Sequence, residues 1–215
     1  MSFAGDMIDD LRDRLNDVGD TQVPFLTKLR FLNRGQAAMF PRIFKMVRDN
    51  TLLVVANQYE YAFPAGVGTG KVLTVEIETA SASARYTPLQ RYDIIPSLTS
   101  PTLVVLDPTL PSAAGAKFRI TTADRMTPFV AANYAASQSE TYTGPAGTEE
   151  LPVLYAMGLV TARALDDRMD YTRYSATQQN ATVGPNDIMQ VSQFWFSQFE
   201  LLLERLQMPF PPARN

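Results

Sequence analysis

Gln193-Phe194-Trp195-Phe196-Ser197-Gln198-Phe199-Glu200-Leu201-Leu202-Leu203 lies within a run from Asn186 to Gln207 that holds neither proline nor glycine. Ile188, Val191, Trp195, Phe199, Leu202 and Leu206 recur at three- and four-residue steps and predict one helical stripe, while Met189, Phe194, Phe196, Leu201 and Leu203 fall outside it. At about 1.5 Å rise per residue, this helix is about 30 Å long. A helix on the surface of a small monomer keeps a polar face, so apolar residues on nearly every side predict more than one neighbour. Phe194, Trp195, Phe196 and Phe199 are therefore candidate contacts to another subunit. A central core helix within one subunit is the competing reading.

A second long helix precedes it. Thr148 is an expected N-cap, with Glu149 and Glu150 in the first turn, where carboxylates favour the positive helix end. Leu151, Leu154, Tyr155, Leu159, Ala162, Leu165 and Met169 give it a core face, and Ala156, Gly158 and Ala162 allow close helix contact. Gly184-Pro185 separates the two helices. Upstream, Asn133 to Gly147 is small and polar, with Tyr134 and Tyr142 its only large side chains. Residues 127–147 read as a long loop or arm, Tyr134 and Tyr142 being candidate partner contacts, with a plain mobile linker as the alternative.

From Leu52 to Thr122 the period changes from helical to alternating. Tyr59, Tyr61 and Phe63 share one face; Leu73, Val75 and Ile77 alternate with polar residues, as do Phe118 and Ile120. Leu103-Val104-Val105-Leu106 is a continuous apolar run that predicts a strand buried on both faces. Proline and glycine clusters divide the region into about six short strands, which predicts a small antiparallel sheet or sandwich.

The first 50 residues predict a helical hairpin with opposite charge on its arms. The first arm, with an apolar face of Met7, Ile8, Leu11, Leu15 and Val18, carries Asp6, Asp9, Asp10, Asp13, Asp17 and Asp20 against Arg12 and Arg14. The second carries Lys28, Arg30, Arg34, Arg42, Lys45 and Arg48 with no acidic residue between Thr21 and Arg48, and Pro41 is expected to kink or divide it. The arms can pair within one subunit, or meet between neighbouring copies and set register there. The second reading makes Asp13, Asp17, Arg30 and Arg34 candidate interface residues.

The expected architecture is α+β: a helical bundle, made of an N-terminal hairpin plus two long C-terminal helices, with the small β block inserted. The expected segments are 1–50, 51–126, 127–147, 148–207 and an extended tail, 208–215.

The 215 residues, 46% of them apolar, suffice for one good core without metal or disulfide. Neither cysteine nor histidine occurs. That excludes thiolate and most zinc sites, every Ser-His or Cys-His pair and histidine acid-base chemistry. A net charge of −3 and a pI near 5.0 argue against gripping nucleic acid through a basic surface. The start lacks the basic flank and apolar run of a secretory signal, and the longest apolar stretch, Leu151 to Leu165, falls short of the roughly 20 residues of a membrane span. A soluble cytoplasmic product is expected.

Motif tests fail. Gly66-Val67-Gly68-Thr69-Gly70-Lys71 has Ala65 and Val72 where a phosphate loop needs glycine and Ser or Thr, so it reads as a hairpin turn. Asp166, Asp167 and Asp170 could hold a hard cation, but they read more simply as a solvated face, with Arg163 pairing Asp167. No nucleophile has an evident base, so neither an enzyme nor a cofactor is expected.

Taken in order, several segments resemble the head-to-tail adaptor (head completion, connector) proteins of tailed bacteriophages. These are Leu29-Arg30-Phe31-Leu32-Asn33, Tyr59-Glu60-Tyr61-Ala62-Phe63-Pro64, Pro88-Leu89 with Arg91-Tyr92-Asp93, Leu106-Asp107-Pro108 before Phe118-Arg119-Ile120, and Leu151 to Leu165 around Tyr155-Ala156. The resemblance implies a virion protein at the capsid vertex or neck, assembled in the bacterial cytoplasm. It further implies a ring, commonly dodecameric, beneath the portal protein, contacting tail or nozzle proteins and passing genomic DNA without reading its sequence. It implies no catalytic residues. In that family a C-terminal segment often docks on the portal, which makes Met208, Pro209, Phe210, Pro211 and Pro212 candidate docking residues here. A tail-side neck or tail-completion component is one alternative. Another is a β-sandwich binding carbohydrate or peptide through Tyr59, Tyr61, Phe63, Tyr86 and Tyr92.

Overall fold

A computed structural model describes residues 2–64, 71–80, 85–95, 101–106, 115–175 and 185–208, without the side chains of 71, 80, 164–175 and 185–188. Among them are five helices and seven strands, and the fold is mixed α+β as the change of period predicts. The chain divides into two units: Met1–Phe44 with Arg125–Pro209, which is helical, and Lys45–Asp124, which is β.

In the helical unit, α1 spans Ala4–Leu15 and buries Met7, Ile8 and Leu11. Asp6 accepts the Phe3 N–H at 2.8 Å, satisfying a donor that a helix start leaves open. At the other end Asn16 takes the left-handed conformation, φ 51°, that ends helices at Asn or Gly. Helix α2 spans Phe25–Met39 behind Pro24. It stops because Phe40 precedes Pro41 and is extended, so Pro41 divides the segment as expected.

Short α3, Tyr134–Ser137, is followed by α4, Glu150–Ser175, and α5, Pro185–Leu206. Both α2 and α5 pack on α4. Ile8, Leu11, Leu32, Met39, Ile43, Leu151, Met157, Phe199 and Leu203 belong to their common core.

Two glycines set how close the helices come. A Cβ on Gly35 would lie 2.8 Å from the Pro152 Cα, so α2 meets the backbone of α4 directly. A Cβ on Gly158 would lie 2.8 Å from the Phe196 ring, the close contact expected of that glycine. Because the obstacle at Gly35 is backbone, Gly35→Ala is expected to lower unfolding free energy by about 1–3 kcal/mol, more than the roughly 0.5–1 kcal/mol that alanine gains in a helix. A urea midpoint at or above the parent value would disprove the close approach.

In the β unit, β1 (Lys45–Asp49), β7 (Phe118–Asp124), β3 (Lys71–Ala80) and β4 (Arg85–Pro88) form an antiparallel sheet in the order β1-β7-β3-β4. A second antiparallel sheet has the order β2-β6-β5, with β2 Glu60–Ala62, β6 Thr102–Val105 and β5 Tyr92–Ile95. Tyr61, Phe63, Leu103 and Val105 of the second sheet and its flanks share one core with Val75, Phe118 and Ile120 of the first. Tyr61 meets Phe118 edge-on at 5.0 Å between centroids. The inserted block is thus a small sandwich.

Two expectations are corrected here. Lys45 and Arg48, read as part of the basic helical arm, lie on β1, whose Lys45 pairs with Asp124 across the ladder to β7. The units accordingly divide at Phe44 and Asp124, where the sequence reading had 50 and 126. The run from Leu103 to Leu106 is not buried on both faces: Leu103 and Val105 point inward, Val104 is half-buried and Leu106 is exposed.

Candidate functional site

The opposite charges of α1 and α2 meet inside one chain. Asp17 and Lys28 are both fully buried side chains, with Lys28 Nζ 2.9 Å from Asp17 Oδ2 and 2.7 Å from Asp20 Oδ1. Asp17 also accepts the backbone N–H groups of Thr21, Gln22 and Val23 at 2.8, 3.1 and 3.0 Å. Burial acts to raise its pKa, but Lys28 and these backbone donors outweigh it and hold the carboxyl well below the usual range. Arg12 binds Asp20 through two nitrogens and lowers its pKa, with Lys28 adding to the effect. Asp17 is therefore removed from the candidate interface: its carboxylate is an internal hub that fixes the turn between α1 and α2. Asp13, Arg30 and Arg34 remain exposed.

The region expected to be a loop or arm is fastened down. Tyr142 is buried and its hydroxyl lies 2.8 Å from Thr148 Oγ1; burial pushes its pKa up to about 12. Tyr134 donates to Asp9 Oδ2 at 2.7 Å and its ring lies 4.0 Å beneath the Arg12 guanidinium. Both tyrosines hold residues 133–148 against the helices, so neither is a free partner contact. Thr148 lies just before α4 and donates to the Pro145 carbonyl at 2.7 Å.

Sequence reasoning missed two clamps beside α2. The Asn33 amide exchanges two 2.8 Å hydrogen bonds with the backbone of Phe129. The Glu140 carboxylate accepts from Val130 N and Ala131 N at 2.6 and 3.0 Å. Between buried Phe129 and Ala131 they present Val130, 81% exposed. No periodicity marks these clamps, because Asn33 and Phe129 lie far apart in sequence and Glu140 reaches back across a non-repeating segment.

The face of α5 that enters the core follows the predicted stripe at Trp195, Phe199, Leu202 and Leu206 and departs from it at Val191. Phe199 and Leu203 are buried and Trp195, Leu202 and Leu206 pack partly against the core, whereas Val191 is exposed. Contacts with α4 select this face: Phe196 and Phe199 meet the Tyr155 ring edge-on at 5.3 and 5.1 Å, and Ser192 Oγ donates to the Gly158 carbonyl at 2.9 Å. Of the four aromatic interface candidates, Phe199 is thus core, Trp195 and Phe196 are half-buried, and Phe194 is 52% exposed. With Leu201, 56% exposed, Phe194 marks an outward apolar stripe. Met208 packs against the bundle and its N–H donates to the Arg42 carbonyl at 2.8 Å. Pro209, Phe210, Pro211 and Pro212 lie outside the described residues, as do the side chains of Asp166, Asp167 and Asp170.

The aromatics of the β unit do not make one binding face. Tyr61 and Phe63 are core residues, and the Tyr86 ring is covered by Arg119 at 4.2 Å. Arg119 in turn donates to Glu76 Oε2 at 2.6 Å, holding that carboxyl below its usual range. Among the described residues no helix is long and apolar enough to cross a membrane.

Comparison with known proteins agrees with the resemblance drawn from the segment order. No curated protein matches the chain. A solved structure described as the neck of an empty GTA particle computed with C6 symmetry is 17% identical, covers 91% of this chain and 92% of its own, and has a TM-score of 0.28. A second, from the virion of the native gene transfer agent particle, is 19% identical with the same coverages, 91% and 92%, and a TM-score of 0.26. The family model for the SU10 adaptor protein matches residues 2–209, essentially the whole chain. The protein belongs to the SU10 adaptor family.

Proposed function

We propose that the protein is a structural head-to-tail adaptor. It assembles as a ring, dodecameric in this reading, beneath the portal protein and joins the capsid vertex to tail or nozzle proteins. The genome passes through it without sequence recognition. The family match over residues 2–209 carries this reading. The outward stripe of Phe194 and Leu201 supports self-association, because an isolated subunit has no use for large apolar side chains displayed on a long helix. Asp13, Arg30 and Arg34, all exposed, are available for contacts between copies. The work is mechanical and no residue is assigned a catalytic role. In this reading the segment Met208, Pro209, Phe210, Pro211 and Pro212 docks on the portal; the hydrogen bond from Met208 N–H to the Arg42 carbonyl, where the segment begins, supports it.

Native mass spectrometry of the purified chain, alone and mixed with the portal ring of the same particle, tests the reading. The expected result is uptake of a ring's complement of copies by the portal. A chain that stays monomeric and ignores the portal overturns it. A deletion ending at Gln207 is expected to abolish that uptake while leaving the far-UV circular dichroism unchanged.

A further inference from the structure

Helix α2 turns outward a stripe of Leu26, Arg30, Arg34 and Ala37, all exposed. Neither guanidinium has a carboxylate partner among the described residues. The helix that carries it is held at Lys28, whose ammonium pairs with buried Asp17, and at Asn33, whose amide exchanges hydrogen bonds with the Phe129 backbone. The stripe is therefore a rigid, cationic and partly apolar surface.

Helix α5 carries the complement. An open groove of about 620 Å³ is lined by Gln193, Phe196, Ser197, Glu200, Leu201 and Glu204. Phe196 and Leu201 give it apolar surface, and Glu200 and Glu204 bring two carboxylates to it. Glu204 has no partner among the described residues, and Glu200 has only an exposed bridge to Arg42 at 2.7 Å. Arg30 to Ala37 and Ser197 to Glu204 each span about 10 Å of helix, so the two stripes match in length.

We infer that the α5 groove of one copy receives the α2 stripe of the next copy, the two helices running antiparallel, with Arg30 facing Glu204, Arg34 facing Glu200 and Ala37 lying over Ser197. Two different surfaces of the same chain are used, so the contact is head-to-tail and propagates until it closes. A single helix pair buries far less than the roughly 1,200 Å² of a stable interface, so each contact is weak and closure supplies the avidity. The inference rests on the ring proposed above and names the faces that build it.

Charge reversal tests it, with the portal ring present and particle mass as the readout. Arg30→Glu with Arg34→Glu, and separately Glu200→Arg with Glu204→Arg, are each expected to weaken ring formation by about tenfold or more, and the variant carrying all four changes to recover it. All four positions are exposed, and an unchanged circular dichroism spectrum verifies folding. The chain has no native cysteine, so Ala37→Cys and Ser197→Cys supply a second readout through a short bis-maleimide. The double variant should give a ladder of covalent multimers, and neither single variant should give any. Normal rings from either charge-reversed pair, or dimers from Ser197→Cys alone, overturn the pairing while leaving the ring. A parent chain that forms no ring overturns the adaptor reading and the pairing together.

Discussion

Replacing Asp17 with alanine is expected to destabilise the helical unit by about 3–5 kcal/mol, the cost of breaking a buried ion pair by removing one partner. Whole domains hold only about 5–15 kcal/mol, so the loss approaches global unfolding at physiological temperature. The change strands more than the Lys28 ammonium. The N–H groups of Thr21, Gln22 and Val23 lose their acceptor at the same time, and Val23 lies in the interior. Lys28→Met should cost less, because Asp17 keeps three backbone donors and Asp20 keeps Arg12. Asp20→Ala should cost least, since its side chain retains 17% exposure and water can replace part of what is lost. Urea unfolding followed by the fluorescence of Trp195, the only tryptophan, would measure the series. Equal midpoints for the Asp17 and Asp20 variants would contradict a buried hub.

The same carboxyl gives the stability a pH signature. Its folded pKa lies below the unfolded value of about 3.9, so its contribution is fully present above that value and is lost as pH falls through the folded one. The parent chain should therefore lose stability on acidification below about pH 4, and Asp17→Asn, which cannot titrate there, should lose less. The gap between their urea midpoints should shrink from about pH 6 to about pH 3. A constant gap would mean that the carboxyl is not held low.

Why some of this was legible in sequence and some was not follows from the range of the interactions. Alternation over β3 and β7 and the helical period of α4 are local, so they are written in consecutive residues. Strand β1 is not: five residues with Lys45 and Arg48 three apart fit a helix as well as a strand, and the deciding partner is β7, some 70 residues away. The charge asymmetry of α1 and α2 was visible, as was the possibility that the arms pair. That Asp17 alone of the α1-side carboxylates enters the interior depends on a left-handed Asn16 and on the path to Val23. Tyr134 and Tyr142 read as candidate partner contacts on a polar loop because nothing local shows that Tyr134 reaches Asp9, 125 residues away, or that Tyr142 is buried beside Thr148. The exposure of Arg30, Arg34 and Phe194 agrees with their charge or their place off the apolar stripe, but the period alone does not decide it, since Leu203 lies off the stripe and is buried.

Phe199→Ala and Phe194→Ala are expected to part company although the two residues lie only five positions apart on α5. Phe199 is 2% exposed against the Tyr155 ring, so truncation removes buried apolar surface and leaves a cavity, for a loss of about 3–5 kcal/mol. Phe194 is 52% exposed and touches the Trp195 ring at 5.3 Å, so truncation should shift stability by no more than about 0.5 kcal/mol. Assembly should report the reverse selectivity. The Phe194 variant, folded, should form rings on the portal less readily, whereas the Phe199 variant should fail through loss of folded protein and recover at lower temperature. If Phe194→Ala unfolds the chain, α5 presents the opposite face to its own bundle. If it leaves both stability and ring formation untouched, the outward aromatic plays no part in joining copies. Only the combination of an intact fold and weakened assembly matches a helix that builds its own core with one face and the particle with the other.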